Sequence, residues 1–303
     1  MGSRGSPLAL RQTETVREQL RQLGVETELL KIKTSGDVFL DKPLHQLSGF
    51  GVFVAEIDER MLHGEIDLAV HSMKDLPTKR PEQLIISAIL KRDSPYDILV
   101  SRTGSALEDL KPGAVVGTSS MRRSAQLHRI RPDLEVKSLR GNLQTRLGKL
   151  GRGDYEAIVL AEAGVQRMGL DLDYIRLDMD RFVPSANQGT IIVVARKETK
   201  AELYSKSIDD TLTRTETMIE RKILETVGGG CIVPMAVHAD VNGSKARVLA
   251  EVLSLDGKRF VRVEEQIFLQ EDYLEQSASL GQRLMEKGGR ELVAEAVKAF
   301  GAR

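Results

Sequence analysis

Ala114-Val115-Val116-Gly117-Thr118-Ser119-Ser120-Met121-Arg122-Arg123 passes from an apolar run, through a glycine and three hydroxyl residues, into a segment with helical spacing. The apolar residues suit a short buried strand. Gly117 breaks the strand, and a serine is a good N-cap for a helix starting near Met121. A strand feeding a helix is the building unit of an α/β sheet. The alternation recurs downstream: Glu135–Leu139 reads as a strand leading to Arg140-Gly141-Asn142 and a helix to about Leu150, and Ala157–Leu160 as a strand before Ala161-Glu162-Ala163-Gly164.

It recurs upstream as well. Ser6 can cap a helix with Pro7 at its first position, a stripe of Leu8, Val16, Leu20 and Leu23, and a stop at Gly24. Val25–Lys33 reads as a strand, residues 36–51 as a polar glycine-bearing loop, and Val52–Leu62 as a helix ending near Gly64. Ile66–Val70 is a strand whose exit carries His71-Ser72-Met73-Lys74-Asp75, and Leu84–Leu90 is another. Lys91–Tyr96 is polar, contains Pro95 and suits a hinge; Val183-Pro184 begins a second crossing, and Ile191–Ala195 is a strand after Gln188-Gly189. The pattern predicts parallel sheets with helices on both faces, whose ligands sit beyond the carboxyl ends of the strands near helix N-termini. Ser6, Lys74-Asp75, Ser119-Ser120 and Arg140-Gly141-Asn142 all fall there.

From about Thr211 the pattern changes. A helix over 212–226 leads to Gly228-Gly229-Gly230-Cys231-Ile232-Val233-Pro234, then strands near 234–241, 246–254 and 259–268 and helices near 270–286 and 289–300. The organisation expected is 1–90 with about 188–207 as a first domain, 96–183 as a second, and 211–303 as a separate α+β domain. No internal repeat or low-complexity segment stands out.

A hydrophobic content of 41% with 29% charged residues is that of a globular protein, and no apolar run approaches the roughly 20 residues of a membrane helix. The N-terminal residues show no signal-peptide core, so the reading places the chain in the cytoplasm. With 44 basic and 44 acidic side chains, net charge suggests neither nucleic acid nor membrane. Charge is uneven, however. Arg122, Arg123, Arg129, Arg131, Arg140, Arg146 and Arg152 lie between residues 122 and 152, opposed by Asp133 and Glu135. Such a stretch is either a solvated basic helix face or a site for a polyanionic small ligand. The preference for arginine over lysine favours paired recognition of carboxylate or phosphate.

Cys231 is the only cysteine. One thiol makes no intramolecular disulfide and no multi-cysteine metal site. Three glycines before it allow positive φ and close approach of a bulky group, and Pro234 stiffens the exit. The residue is either a small buried hydrophobe or a displayed thiol able to carry something covalently.

Seven collinear segments resemble the porphobilinogen deaminase (hydroxymethylbilane synthase) family: Ser3-Arg4-Gly5-Ser6-Pro7-Leu8-Ala9-Leu10, Ala69-Val70-His71-Ser72-Met73-Lys74-Asp75-Leu76-Pro77, Val116-Gly117-Thr118-Ser119-Ser120-Met121-Arg122-Arg123, Leu139-Arg140-Gly141-Asn142, Gly164-Val165-Gln166-Arg167, Gln188-Gly189 and Gly230-Cys231-Ile232-Val233-Pro234. Each is weakly or moderately specific alone; in order, across nearly the whole chain, the set is highly specific. The resemblance implies two periplasmic-binding-protein-like α/β domains flanking a cleft plus a C-terminal α+β domain. It implies a transferase that joins porphobilinogen units head to tail with loss of ammonia, on a dipyrromethane cofactor held by a thioether at Cys231, and releases hydroxymethylbilane by hydrolysis. Asp75 matches the catalytic aspartate. Lys74, Asp75, Ser119, Arg122, Arg123 and Arg140 match cofactor-binding positions, and Arg4, Ser6, Phe53, Arg146, Arg167 and Gln188 substrate-binding positions.

The chemistry of those residues agrees. Each pyrrole carries an acetate and a propionate, which guanidiniums hold by paired charge-assisted bonds. Loss of ammonia from the substrate leaves an electron-poor methylene pyrrole that a carboxylate can stabilise while moving protons. Ser6 and Ser119 can donate hydroxyl bonds or cap helices. Arg129, Arg131 and Arg152 read as surface ion pairs, and His71 as structural. No metal site is expected, and the only partner expected is the small-molecule substrate, for a monomer without nucleic acid or membrane.

Three departures from the family pattern stand out. The chain begins nearly at Ser3-Arg4, where relatives have a full first strand, and Phe50 and Gln46 replace commonly basic loop residues. Two other classes can be weighed. A non-catalytic anion- or solute-binding two-domain protein would need the arginines but neither Asp75 nor Cys231. A cysteine hydrolase would need a histidine poised near Cys231, and the five histidines form no such pattern.

Overall fold

The computed structural model describes residues 1–32 and 54–300, Cys231 by its backbone. Phe53, Gln46 and Phe50 lie outside the described residues. The chain begins with β1 (Gly2–Arg4), α1 (Pro7–Gln22), β2 (Leu30–Ile32), α2 (Ala55–Leu62), β3 (Leu68–Ser72) and β4 (Leu84–Ile89). There follow β5 (Asp97–Ser101), β6 (Val115–Gly117), α3 (Met121–Ile130), β7 (Glu135–Lys137), α4 (Leu143–Gly151), β8 (Ala157–Ala161), α5 (Glu162–Arg167) and β9 (Ile175–Arg176). β10 (Ile191–Arg196), α6 (Lys200–Lys206) and α7 (Thr211–Val227) lead to β11 (Met235–Asn242), β12 (Lys245–Leu253), β13 (Phe260–Phe268), α8 (Tyr273–Leu284) and α9 (Arg290–Phe300). Two compact units result, Met1–Asp93 with Gln188–Thr215, and Ser94–Asn187 with Glu216–Arg303.

The first unit holds a five-stranded sheet ordered β2-β1-β3-β10-β4. β1 pairs in parallel with both β2 and β3, so residues 2–4 form an inner strand despite their brevity. Gly2 is closely packed there: a Cβ would stand 2.4 Å from Ile66 Cδ1 and 3.1 Å from Ile32 Cδ1, so those buried side-chain ends would have to shift for any larger residue. The core beneath gathers Val16 and Leu20 of α1 with Leu68, Val70, Ala88, Ile191 and Val193.

The second unit repeats this design in the order β7-β6-β8-β5-β9, with β6 parallel to β7 and β8. Neighbouring residues along its strands feed opposite faces: Leu99 and Val159 join one core, Ile98 and Ile158 the other. The unit also contains the antiparallel meander β11-β12-β13, whose apolar face packs against Ile219 and Ile223 of α7 and Leu280 and Leu284 of α8.

Both five-stranded sheets are mixed, not parallel throughout as strand–helix alternation predicts. β10 runs antiparallel to β3 and β4, and β5 antiparallel to β8 and β9. In each sheet the antiparallel strand is one that the chain reaches without a preceding crossover helix, so nothing requires it to run with its neighbours. Residues 191–195 are buried throughout, which gives β10 the continuous apolar run typical of a parallel strand. β5, α5, β9 and α6 are elements the sequence reading does not contain.

Candidate active site

Lys74 and Asp75 stand on a single 3-10 turn, Met73–Asp75, at the carboxyl end of β3. Met73 is fully buried, its N–H donates to Thr190 O at 3.0 Å, and Leu76 N–H closes the turn on Met73 O. The two charged side chains are thereby exposed on a fixed base. Lys74 Nζ donates to Gln188 Oε1 at 3.4 Å. Gln188 is itself buried, and its carbonyl accepts from Arg92 Nε at 2.9 Å. No hydrogen bond or ion pair to Asp75 occurs among the described residues, so its carboxylate is not consumed by the adjacent lysine.

Two residues before that turn, His71 is buried. Burial, with Arg80 and Arg4 nearby, lowers its pKa to about 3, so it is neutral at physiological pH. Arg4 ends β1 and is half-buried. Ser6 caps α1 by accepting from Ala9 N–H at 3.3 Å.

In the second unit two helix N-termini carry the basic residues. Ser120, not Ser119, caps α3 and accepts from Arg123 N–H. Ser119 Oγ instead donates to Leu139 O at 2.8 Å and lies 2.9 Å from Ser138 Oγ, tying the 118–120 turn to the 138–140 turn. Asn142 caps α4 through Thr145 N–H, and Gly141 before it has φ 112° where a Cβ would come within 2.6 Å of Thr145 Cγ2. Neither helix has an acidic residue in its first turn, where acids are favoured by the helix dipole.

Arg122 and Arg123 are buried and share Asp97, which is wholly buried. Arg122 Nη1 lies 2.7 Å from Asp97 Oδ2 and donates to Val183 O at 2.7 Å; Arg123 Nη2 and Nε reach Asp97 Oδ1 at 2.6 and 3.0 Å. Burial lowers the Arg122 pKa, with Asp97 opposing the shift. Arg146 Nε donates to Gly141 O at 2.8 Å, and its pKa is lowered by burial and then by Arg123 and Arg140, which face it with like charge. Arg123, Arg140 and Arg146 thus converge, and a polycarboxylate fits that convergence. Arg167 is half-buried at the end of α5.

Cys231 sits in a 3-10 turn, Gly230–Ile232, between α7 and β11. Gly228, Gly229 and Gly230 all have positive φ, at 74°, 76° and 61°. Only glycine takes three such conformations in a row without penalty. Within the first unit the structure brings Lys74 and Gln188 together beside Asp75, and within the second Arg123, Arg140 and Arg146.

The arginines left without a site role divide. Arg131 and Arg152 pair locally with Asp133 and Asp154, as expected. Arg129 is half-buried and its pair is not a surface one: it bonds the fully buried Glu251 at 2.8 Å, which also accepts from Gln126 Nε2 at 2.6 Å. Asp97 and Glu251 escape sequence reasoning because each is a lone acid in an apolar strand; the surplus of arginine around residue 122 is the signal that a buried counter-charge exists. Among the described residues no group of three or more His, Cys, Asp or Glu could hold a metal ion, and no helix is long and apolar enough to cross a membrane.

Two family models match. "Porphobilinogen deaminase, dipyromethane cofactor binding domain" covers residues 1–204, and "Porphobilinogen deaminase, C-terminal domain" residues 214–287. A probable porphobilinogen deaminase of Methanococcoides burtonii is 53% identical over 299 residues, covering 98% of this chain and 96% of its own. The porphobilinogen deaminase of an Exiguobacterium species is 41% identical over 300 residues, 97% of each chain. Among solved structures, the substrate binding domain of a putative molybdenum ABC transporter from Clostridium difficile aligns with 70% of this chain and 92% of its own at 12% identity and TM-score 0.42. A YaeC-family lipoprotein from Enterococcus faecalis aligns with 69% and 90% at 14% identity and TM-score 0.41.

Proposed function

The chain belongs to the porphobilinogen deaminase family, and from that premise we propose how its own residues divide the family's reaction. The reaction is that of hydroxymethylbilane synthase, a transferase of tetrapyrrole biosynthesis. Porphobilinogen units are condensed head to tail with loss of ammonia, and hydroxymethylbilane is released by hydrolysis. The dipyrromethane cofactor, when bound, supplies the pyrrole end to which the first unit is joined.

In this reading Cys231 holds the dipyrromethane through a thioether, as a permanent tether and not as a nucleophile regenerated at each turnover. Arg122, Arg123 and Arg140 bind carboxylates of the cofactor, with Ser119, Lys74 and Asp75 completing its polar contacts. Arg4, Ser6, Phe53, Arg146, Arg167 and Gln188 take the substrate. Asp75 stabilises the cationic methylene pyrrole formed as ammonia leaves, by Coulomb attraction and by accepting the pyrrole N–H. It also helps pass one proton to the departing amine and remove one from the pyrrole α-carbon after coupling. Its exposed carboxylate on a rigid turn, without a partner among the described residues, is the observation that supports this role most directly. The protein works as a monomer in the cytoplasm, with no nucleic-acid or membrane partner.

Intact-protein mass spectrometry of the wild type and Cys231→Ser tests the reading. The wild type is expected to be heavier by one dipyrromethane per chain. Equal masses after correcting for the substitution overturn it.

A further inference from the structure

Asp97 opens β5 and is wholly buried, and its two oxygens each hold a different guanidinium, Oδ2 that of Arg122 and Oδ1 that of Arg123. One carboxylate cannot neutralise two arginines. The other carboxylate acting on Arg122, Glu251, is already engaged by Arg129 and Gln126. Beyond Arg123 stand Arg146 and Arg140, which add positive charge. The arginine pair also occupies the first turn of α3, where the helix dipole already favours an anion. Positive charge at a depth of 4% and 7% exposure is expensive unless an anion completes it.

We propose that Asp97 is a positioning residue for the arginine pair. It aligns both guanidiniums and cancels only part of their charge, leaving a remainder that the carboxylates of the dipyrromethane complete. The proposal rests on the deaminase reading. It says that Asp97 and the cofactor carboxylates act on the same two arginines as counter-charges. Removing the first should therefore make the protein lean harder on the second. A residue needed only for the fold would lower the stability of loaded and unloaded protein alike.

The test is a cycle of four full-length proteins: wild type, Cys231→Ser, Asp97→Asn, and Asp97→Asn with Cys231→Ser. Intact mass establishes loading and thermal unfolding gives Tm. The gain in Tm on loading is expected to be several degrees larger in the Asp97→Asn background than in the wild-type background. An equal gain in both backgrounds overturns the proposal, as does an Asp97→Asn protein that is soluble but unloaded, because the freed guanidiniums should still take the carboxylates. If Asp97→Asn does not fold, Asp97→Glu, which keeps the charge but moves the carboxylate off the paired guanidiniums, takes its place in the same cycle: a larger gain in Tm on loading than in the wild-type background is expected, and an equal gain overturns the proposal. A wild type with no dipyrromethane by mass instead overturns the deaminase reading, which keeps the two failures apart.

Discussion

Gly229→Ala separates the geometry of the cysteine turn from the chemistry attached to it. Gly229 has φ 76°, and a Cβ there would stand 2.2 Å from Val233 Cγ2 and 3.3 Å from Val293 Cγ1. Val233 is 4% exposed and belongs to the core formed by α7, α8 and the meander, so it has little room to yield. Gly228 provides the control: its φ is 74°, yet a Cβ would meet nothing within 4 Å. For both positions a left-handed alanine costs about 1–2 kcal/mol. About 0.4–1 kcal/mol of that is offset by the lower entropy of the unfolded chain. Gly229→Ala adds the displacement of Val233, an overpacking cost of about 1–3 kcal/mol. The two variants should differ by that last amount, which at roughly 2–4 °C per kcal/mol separates their Tm values by several degrees. Thermal unfolding of both, in the Cys231→Ser background so that cofactor loading cannot contribute, measures it. If Gly229→Ala is no less stable than Gly228→Ala, Val233 does not constrain the turn and the reasoning fails.

Three further expectations concern charge. Asp75→Asn should retain fold and cofactor while turnover falls by about 10²-fold or more, because the carboxylate's charge is lost with its shape kept; near-normal kcat would remove Asp75 from the chemistry. Glu251→Gln should destabilise the protein by about 1–3 kcal/mol, since half-buried Arg129 loses its counter-charge and the buried bond to Gln126 is altered; an unchanged denaturant midpoint would refute this. His71 has its pKa lowered from 6.5 to about 3, so the unfolded chain binds the extra proton first and stability falls as pH drops from about 6.5 toward 3. Between pH 7 and pH 4 this amounts to about 3 kcal/mol, which His71→Gln should abolish. A parallel pH dependence in wild type and variant would refute it.

Much of this was legible in the residues. Ser6-Pro7 and Asn142 mark helix starts by their own side-chain chemistry, and the structure places caps there. The three glycines before Cys231 announce positive φ, and all three have it. What sequence could not convey are relations that depend on distant pairing. The two five-stranded sheets share one strand order pattern, yet the sequence shows no repeat, because topology constrains burial and not residue identity. Arg122 and Arg123 read as hands extended toward a ligand; their burial on Asp97 depends on a strand that begins 25 residues earlier and is defined by a sheet, not by local pattern. The helix cap at Ser120 instead of Ser119 is a one-residue ambiguity between adjacent serines, settled by which hydroxyl Leu139 O draws away.

The shared design of the two sheets supplies a comparison that bears on Asp75. β3 and β8 hold corresponding places in the two strand orders, and each delivers an acidic residue just past its carboxyl end. After β8 that residue is Glu162, fully buried, bonded at 2.7 Å by Tyr174 Oη and at 2.9 Å by Arg176 Nε, with Ser94 Oγ on its other oxygen. Its lone pairs are spent on holding residues 94 and 174–176 to the end of the sheet, and its role is cohesion. After β3 the chain instead turns for three residues on the buried Met73 and leaves Asp75 exposed. Position on the scaffold is therefore not what makes a carboxylate a reagent. The difference lies in whether the fold satisfies it: among the described residues nothing bonds the Asp75 carboxylate beside Lys74 and Gln188, which leaves it able to accept from a pyrrole N–H and meet a developing cation in the role proposed for it.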